Sequence, residues 1–94
     1  MYAETEAIRA MTMRAAALAD SGRAAEITLL SSACKLMGAE VAMRSTTEAV
    51  QVLGGYGYID EFPVERFMRD AKLMQIGGGT AEIKRFIIAR GLLA

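Results

Sequence analysis

The placement of glycine and proline constrains this chain more than any other feature. Six of its nine glycines and its only proline lie between Gln51 and Gly79. They form two clusters, Gly54-Gly55-Tyr56-Gly57 and Gly77-Gly78-Gly79, with Pro63 between them. Glycine takes the left-handed conformation that commonly ends a helix, and proline suits the first helical position. Both clusters therefore read as breaks between helices.

From Tyr2 to Asp20, Ile8, Met11, Ala15 and Leu18 recur at helical spacing and form one stripe. Asp20-Ser21-Gly22 ends that segment, and Ser21 is placed to cap the next. So short a break predicts antiparallel neighbours. A long helix then runs from about Arg23 to Leu53. Ile27, Leu30, Cys34, Met37 and Val41 make one stripe on it, and Leu29, Ala33, Leu36, Met43 and Val50 a second. Two apolar stripes predict contacts on two sides, as in the centre of a bundle. Gly38 inside this helix costs about 1 kcal/mol against alanine, so it marks close helix approach rather than a break. A third helix is predicted from Pro63 to about Met74, with Val64, Phe67, Ala71 and Met74 on one face. A fourth begins after Thr80, a candidate N-cap, with Ile83, Phe86, Ile87 and Leu93 on its face. The expectation is one all-α domain over residues 1–94, an up-down four-helix bundle.

Composition narrows the function. Some 53% of residues are apolar with no Trp, more apolar surface than so short a chain can bury, which predicts contact with another domain or subunit. Eleven basic and eleven acidic residues are intermixed, without the basic patch of a nucleic-acid binder. One cysteine and no histidine argue against a disulfide, a zinc site and any histidine-based nucleophilic triad. No apolar run approaches the roughly 20 residues of a membrane span, and the N-terminus lacks the layout of a signal peptide. A cytoplasmic protein is expected, or a mitochondrial-matrix one in a eukaryote.

Two places offer chemistry. The turn before Thr80 leads into a helix N-terminus, whose unpaired N–H groups suit a phosphate or a developing oxyanion. The plainer reading is a helix-to-helix turn with a threonine cap. Gly54-Gly55-Tyr56-Gly57 looks like a phosphate loop, yet it follows a helix C-terminus, where the dipole disfavours anions. By that reasoning it is a C-cap and turn. Arg66, Arg69 and Asp70 share about one turn of the third helix and read as an ion pair tying it to a neighbour. Cys34 falls on an apolar stripe and reads as packing.

The order of these parts carries a resemblance. Gln51-x-Leu53-Gly54-Gly55-x-Gly57-Tyr58, then Pro63-x-x-Arg66-x-x-Arg69-Asp70-Ala71, then Gly79-Thr80-x-Glu82-Ile83, resembles the C-terminal helical domain of flavin-dependent acyl-CoA dehydrogenases. The likeness covers nearly the whole chain and is specific mainly over Gln51–Arg90. It implies a domain of a larger enzyme that binds FAD and an acyl-CoA thioester, passes electrons to an acceptor, and assembles as a homo-oligomer through apolar helix faces. Gln51, Leu53, Gly54 and Gly55 match the segment that contacts FAD bound to a neighbouring subunit. Thr80 and Glu82 match positions near the FAD of the same subunit, and Gly79 matches a glycine beside the substrate thioester. Arg69-Asp70-Ala71 matches a structural helix motif.

One position departs from the family. The common pattern Tyr-Glu-Gly-Thr, whose glutamate is the base that removes the α-proton, aligns with Gly77-Gly78-Gly79-Thr80. Gly78 has no carboxylate to offer. Isovaleryl-CoA and long-chain dehydrogenases place Gly or Ala there and supply the glutamate from an earlier helix, and this chain begins after that helix. Both preceding domains are also outside it. The chain alone is therefore expected not to dehydrogenate an acyl-CoA. Glu82 is the alternative base, though its place in the first turn of the last helix points it elsewhere than a residue at 78. The competing reading is a free-standing helical interaction module that keeps the apolar assembly faces without the chemistry.

Overall fold

The computed structural model describes residues 1–93, and all their regular structure is helical: α1 (Tyr2–Ser21), α2 (Ala24–Leu53), a short 3-10 turn (Gly54–Gly57), α3 (Val64–Ile76) and α4 (Ala81–Leu93). The fold is all-α, as expected, and α2 is its axis. Its 30 residues span about 45 Å at 1.5 Å per residue, which nearly matches the 48 Å long dimension of the molecule. The other three helices pack on α2.

α1 runs antiparallel to α2. Glu4 pairs with Arg44, and a Cβ built on Gly38 would lie 3.8 Å from Ile8 Cγ2, so this glycine does face the neighbouring helix. The inward residues of α1 are those of the predicted stripe: Ile8, Met11, Ala15 and Leu18 are all half-buried. Gly22 ends α1 in the left-handed conformation, its N–H donating to Ala19 O at 3.2 Å. Ser21 does not cap α2, because it belongs to α1 and its hydroxyl donates back to Leu18 O at 2.8 Å. Arg23 stands at the cap position instead, without a side-chain hydrogen bond.

α3 and α4 both return along α2. The C-terminal end of α3 meets Lys35, whose ammonium donates to the Met74 carbonyl. α4 continues from there, with Arg85 paired to Glu40 and Gly91 set against Leu29. α2 thus faces α1 on one side and α3 and α4 on another, as its two stripes require. Its most buried residues are small or short: Ser32, Ala39 and Val41, with Ala71 of α3 opposite.

The predicted faces of α3 and α4 need correction. α3 turns Val64, Met68, Ala71 and Gln75 inward, leaving Phe67 and Met74 exposed. On α4 only Ile87 of the expected face is half-buried, whereas Phe86 is 63% and Leu93 87% exposed. The inward faces, Val64, Met68 and Ala71 on α3 and Ala81, Ile87 and Ile88 on α4, are rotated from the predicted ones, so Phe67, Met74, Ile83 and Phe86 are left outside. Pro63 stands just before the first helical residue of α3, and its carbonyl accepts from Phe67 N–H at 3.1 Å.

Candidate functional site

The Gly77–Thr80 turn joins α3 to α4 where both meet α2. Gly77 N–H donates to Leu73 O at 2.7 Å and closes α3. Gly78 and Gly79 then take φ of 69° and 100°, a region that side chains rarely tolerate, which is why this turn consists of glycine. Thr80 caps α4 as expected: its Oγ1 accepts from Ile83 N–H at 3.2 Å, and its carbonyl accepts from Lys84 N–H at 3.0 Å. A helix leaves its first N–H groups without intrahelical partners, so those of Thr80, Ala81 and Glu82 remain free for a ligand or water.

Side chains from other elements surround the turn. Lys35 of α2 passes beside Gly78, its Cε 3.7 Å from where a Cβ would sit. Lys84 covers Gly79, with its Cε 3.1 Å and its Nζ 3.4 Å from a Cβ at that glycine. Thr80 and Glu82 line one polar cleft of about 240 Å³ with Glu40, Lys72, Gln75 and Arg85. Neither the helical stripes nor the glycine pattern marks Lys35, Lys84 or the Glu40–Arg85 pair. Lys35 lies between two apolar stripes, and Glu40 and Arg85 are 45 residues apart.

The other candidate residues are elsewhere. Gln51, Leu53, Gly54 and Gly55 are all exposed at the C-terminal end of α2. The rise of α2 from Lys35 to Gly54 puts the two glycine clusters roughly 28 Å apart along its axis. Gly54 leaves α2 at φ 60°, and its N–H donates to Gln51 O. Gly57 is buried where the loop doubles back on α2: a Cβ there would meet Val50 O at 2.4 Å. Beyond it Tyr56 and Phe62 pack edge to face, with ring centroids 5.8 Å apart.

Arg69 does not tie α3 to a neighbour. It forms a two-pronged hydrogen bond at 2.7 and 3.0 Å with Glu65, one turn earlier on the same helix. That bond holds the Glu65 carboxylate below its ordinary range and raises Arg69. Cys34 is half-buried as a free thiol, in keeping with packing. No metal-binding cluster of His, Cys, Asp and Glu occurs among the described residues, and none of their helices is long and apolar enough to cross a membrane.

Comparison with known proteins agrees with this fold. The family model for the acyl-CoA dehydrogenase C-terminal domain matches residues 1–93. Cyclohexane-1-carbonyl-CoA dehydrogenase of Geobacter metallireducens is 51% identical over 88 residues, covering 94% of this chain and 23% of that protein. The butyryl-CoA dehydrogenase structure from Megasphaera elsdenii superposes with a TM-score of 0.93 at 42% identity, over all of this chain and 24% of that one. A chain from the structure of the electron transferring flavoprotein of Acidaminococcus fermentans gives the same TM-score at 40% identity, over 99% of this chain and 24% of that one. The chain thus spans about a quarter of the length of the relatives it matches.

Proposed function

The chain belongs to the acyl-CoA dehydrogenase family through its C-terminal domain, and on that premise we propose that it supplies two FAD-contacting edges and an assembly face to an enzyme acting on acyl-CoA thioesters. The observation that carries this reading is the separation of the two glycine clusters along α2. An edge at Gln51–Gly55 and another at Gly79–Glu82, roughly 28 Å apart, suit contacts with two different flavins, one of them held by a neighbouring subunit.

The residues present fit FAD. The free N–H groups at the start of α4 and the polar cleft lined by Thr80 and Glu82 offer donors to a phosphate-bearing, hydrogen-bonding cofactor. Gly54 and Gly55 expose backbone with open space where a Cβ would sit, so a ligand can approach closely. Bound FAD would supply the acceptor for the hydride leaving the acyl chain.

The chain's own residues then bind and orient. Gly79 offers bare backbone to the thioester, with the Lys84 stem beside it. Thr80 fixes the start of α4 through its cap, and Glu82 stands exposed in the first helical turn. The proton is not taken at position 78, which has no side chain, and we assign the base to a carboxylate outside the glycine turn. The exposed residues Phe86, Leu92 and Leu93 of α4 give the apolar face for homo-oligomer assembly. The lone thiol suits a reducing compartment, the cytoplasm or the mitochondrial matrix.

A domain exchange tests the reading. This chain is placed where the C-terminal domain stands in a relative carrying the Tyr-Glu-Gly-Thr pattern, and the purified chimaera is assayed for FAD. Retention of about one FAD per protomer through gel filtration is expected. A folded chimaera that emerges without flavin would overturn the reading and favour a free-standing interaction module.

A further inference from the structure

Three glycines in a row cannot hold themselves in one conformation, because each is freer than any other residue. Something outside the Gly77–Gly79 turn must fix it. At its far end the Thr80 cap does so. At its near end α3 finishes with carbonyls that lack intrahelical partners; Gly77 N–H takes that of Leu73, and the Lys35 ammonium takes that of Met74. The same lysine stem passes Gly78 at ordinary van der Waals distance. One side chain of the central helix therefore grips the end of α3 and flanks the first left-handed glycine of the turn. A cation at a helix C-terminus is also favoured by the dipole.

We infer that Lys35 is a positioning residue: it sets the Gly77–Gly79 turn, and through it the backbone of Gly79 and Thr80 that would meet thioester and flavin. The ligand part of this statement rests on the proposed function; the grip on the turn does not. Lys84 does not duplicate the role, because it lies over Gly79 and comes from the helix that the turn introduces, so it moves with α4. Lys35 belongs to the axis on which both α3 and α4 are mounted.

Lys35→Met keeps the stem and removes the donor, Lys35→Gln shortens it and keeps a weaker donor, and Lys35→Arg keeps charge and donor. Amide hydrogen exchange is followed on the folded chain, with α1 as internal reference. Exchange at the Gly77 amide, which donates to Leu73 O, is expected to rise about tenfold in the Met variant, as loss of a charge-assisted hydrogen bond predicts. It should rise less in the Gln variant and stay near wild type in the Arg variant, with α1 unchanged in all three. Unchanged exchange at the turn in the Met variant, an Arg variant as fast as the Met one, or an equal rise in α1 and the turn would each overturn the inference. In the chimaera the Met variant should also change the visible spectrum of the bound flavin, and the Arg variant restore it. If the wild-type chimaera holds no flavin, the proposed function falls, while the exchange measurement still decides the grip of Lys35 on the turn.

Discussion

The two glycine clusters look alike in sequence and are built on opposite principles. Gly54–Gly57 is local: it unwinds α2 into a 3-10 turn, bonds Tyr58 N–H to Gly55 O at 3.2 Å, and presses Gly57 onto the backbone of Val50. Its shape follows from the few residues on either side. Gly77–Gly79 is tertiary: its two left-handed glycines are flanked by Lys35 from α2 and by Lys84 and the Thr80 cap from α4. The first cluster can therefore serve as an exposed edge wherever α2 ends. The second exists only where three helices converge.

Substitutions can break this contrast, and the largest effect belongs to the first cluster. Gly57→Ala would drive a Cβ to within 2.4 Å of Val50 O, a backbone atom that cannot swing aside. A loss of about 3 kcal/mol is expected in chemical denaturation, at the upper end of overpacking costs. Gly55→Ala meets nothing within 4 Å and should change stability by less than about 0.5 kcal/mol. Equal losses at the two positions would refute the local reading of this turn.

Gly79→Ala tests the second cluster. Its φ of 100° is strained for any side chain, while the Lys84 stem at 3.1 Å is flexible and can yield. A loss of about 2 kcal/mol is expected, from backbone strain. Thr80→Ala removes the cap and should cost about 1 kcal/mol, with Thr80→Ser recovering most of it. Both effects are read from thermal or denaturant melting of the chain.

The smallest expected effect is electrostatic and lies outside both clusters. The hydrogen bond from Arg69 depresses the Glu65 carboxylate below its ordinary value near 4.5. A depressed acid stabilises the folded chain above its unfolded value, and the contribution is lost as pH falls through the lower folded value. Glu65→Gln should therefore lower stability slightly at neutral pH, as for an exposed ion pair, and converge on wild type as pH falls below about 4.5. A loss that stays as large in acid as at neutral pH would contradict this account.

Legibility in the sequence followed the same division between local and tertiary. The α1 stripe and the two-sided character of α2 were readable because period alone decides which residues face inward on a helix with fixed neighbours. The Thr80 cap was readable for the same local reason. The faces of α3 and α4 were not. Periodicity counts apolar residues without knowing which apolar face a short helix turns to its neighbour, and here Phe67, Met74, Ile83 and Phe86 lie outside. Ser32, 3% exposed on α2, could not be picked out by hydropathy. The glycine clusters were visible, and their resemblance located the candidate contacts. The lysines that flank the second cluster were not, because contacts such as Lys35 with Met74 join residues far apart in the chain.

The central claim is that the Gly77–Thr80 turn is a binding edge whose base lies elsewhere. It is tested most directly by acyl-CoA turnover in the FAD-loaded chimaera, with and without Gly78→Glu. A Cβ at position 78 meets only Lys35 Cε at 3.7 Å, so the carboxylate can be accommodated at the cost of a left-handed backbone. The account predicts no turnover with glycine at 78 and dehydrogenation gained by Gly78→Glu. Full turnover with glycine at 78, abolished by Glu82→Gln, would contradict it and move the base into the first turn of α4.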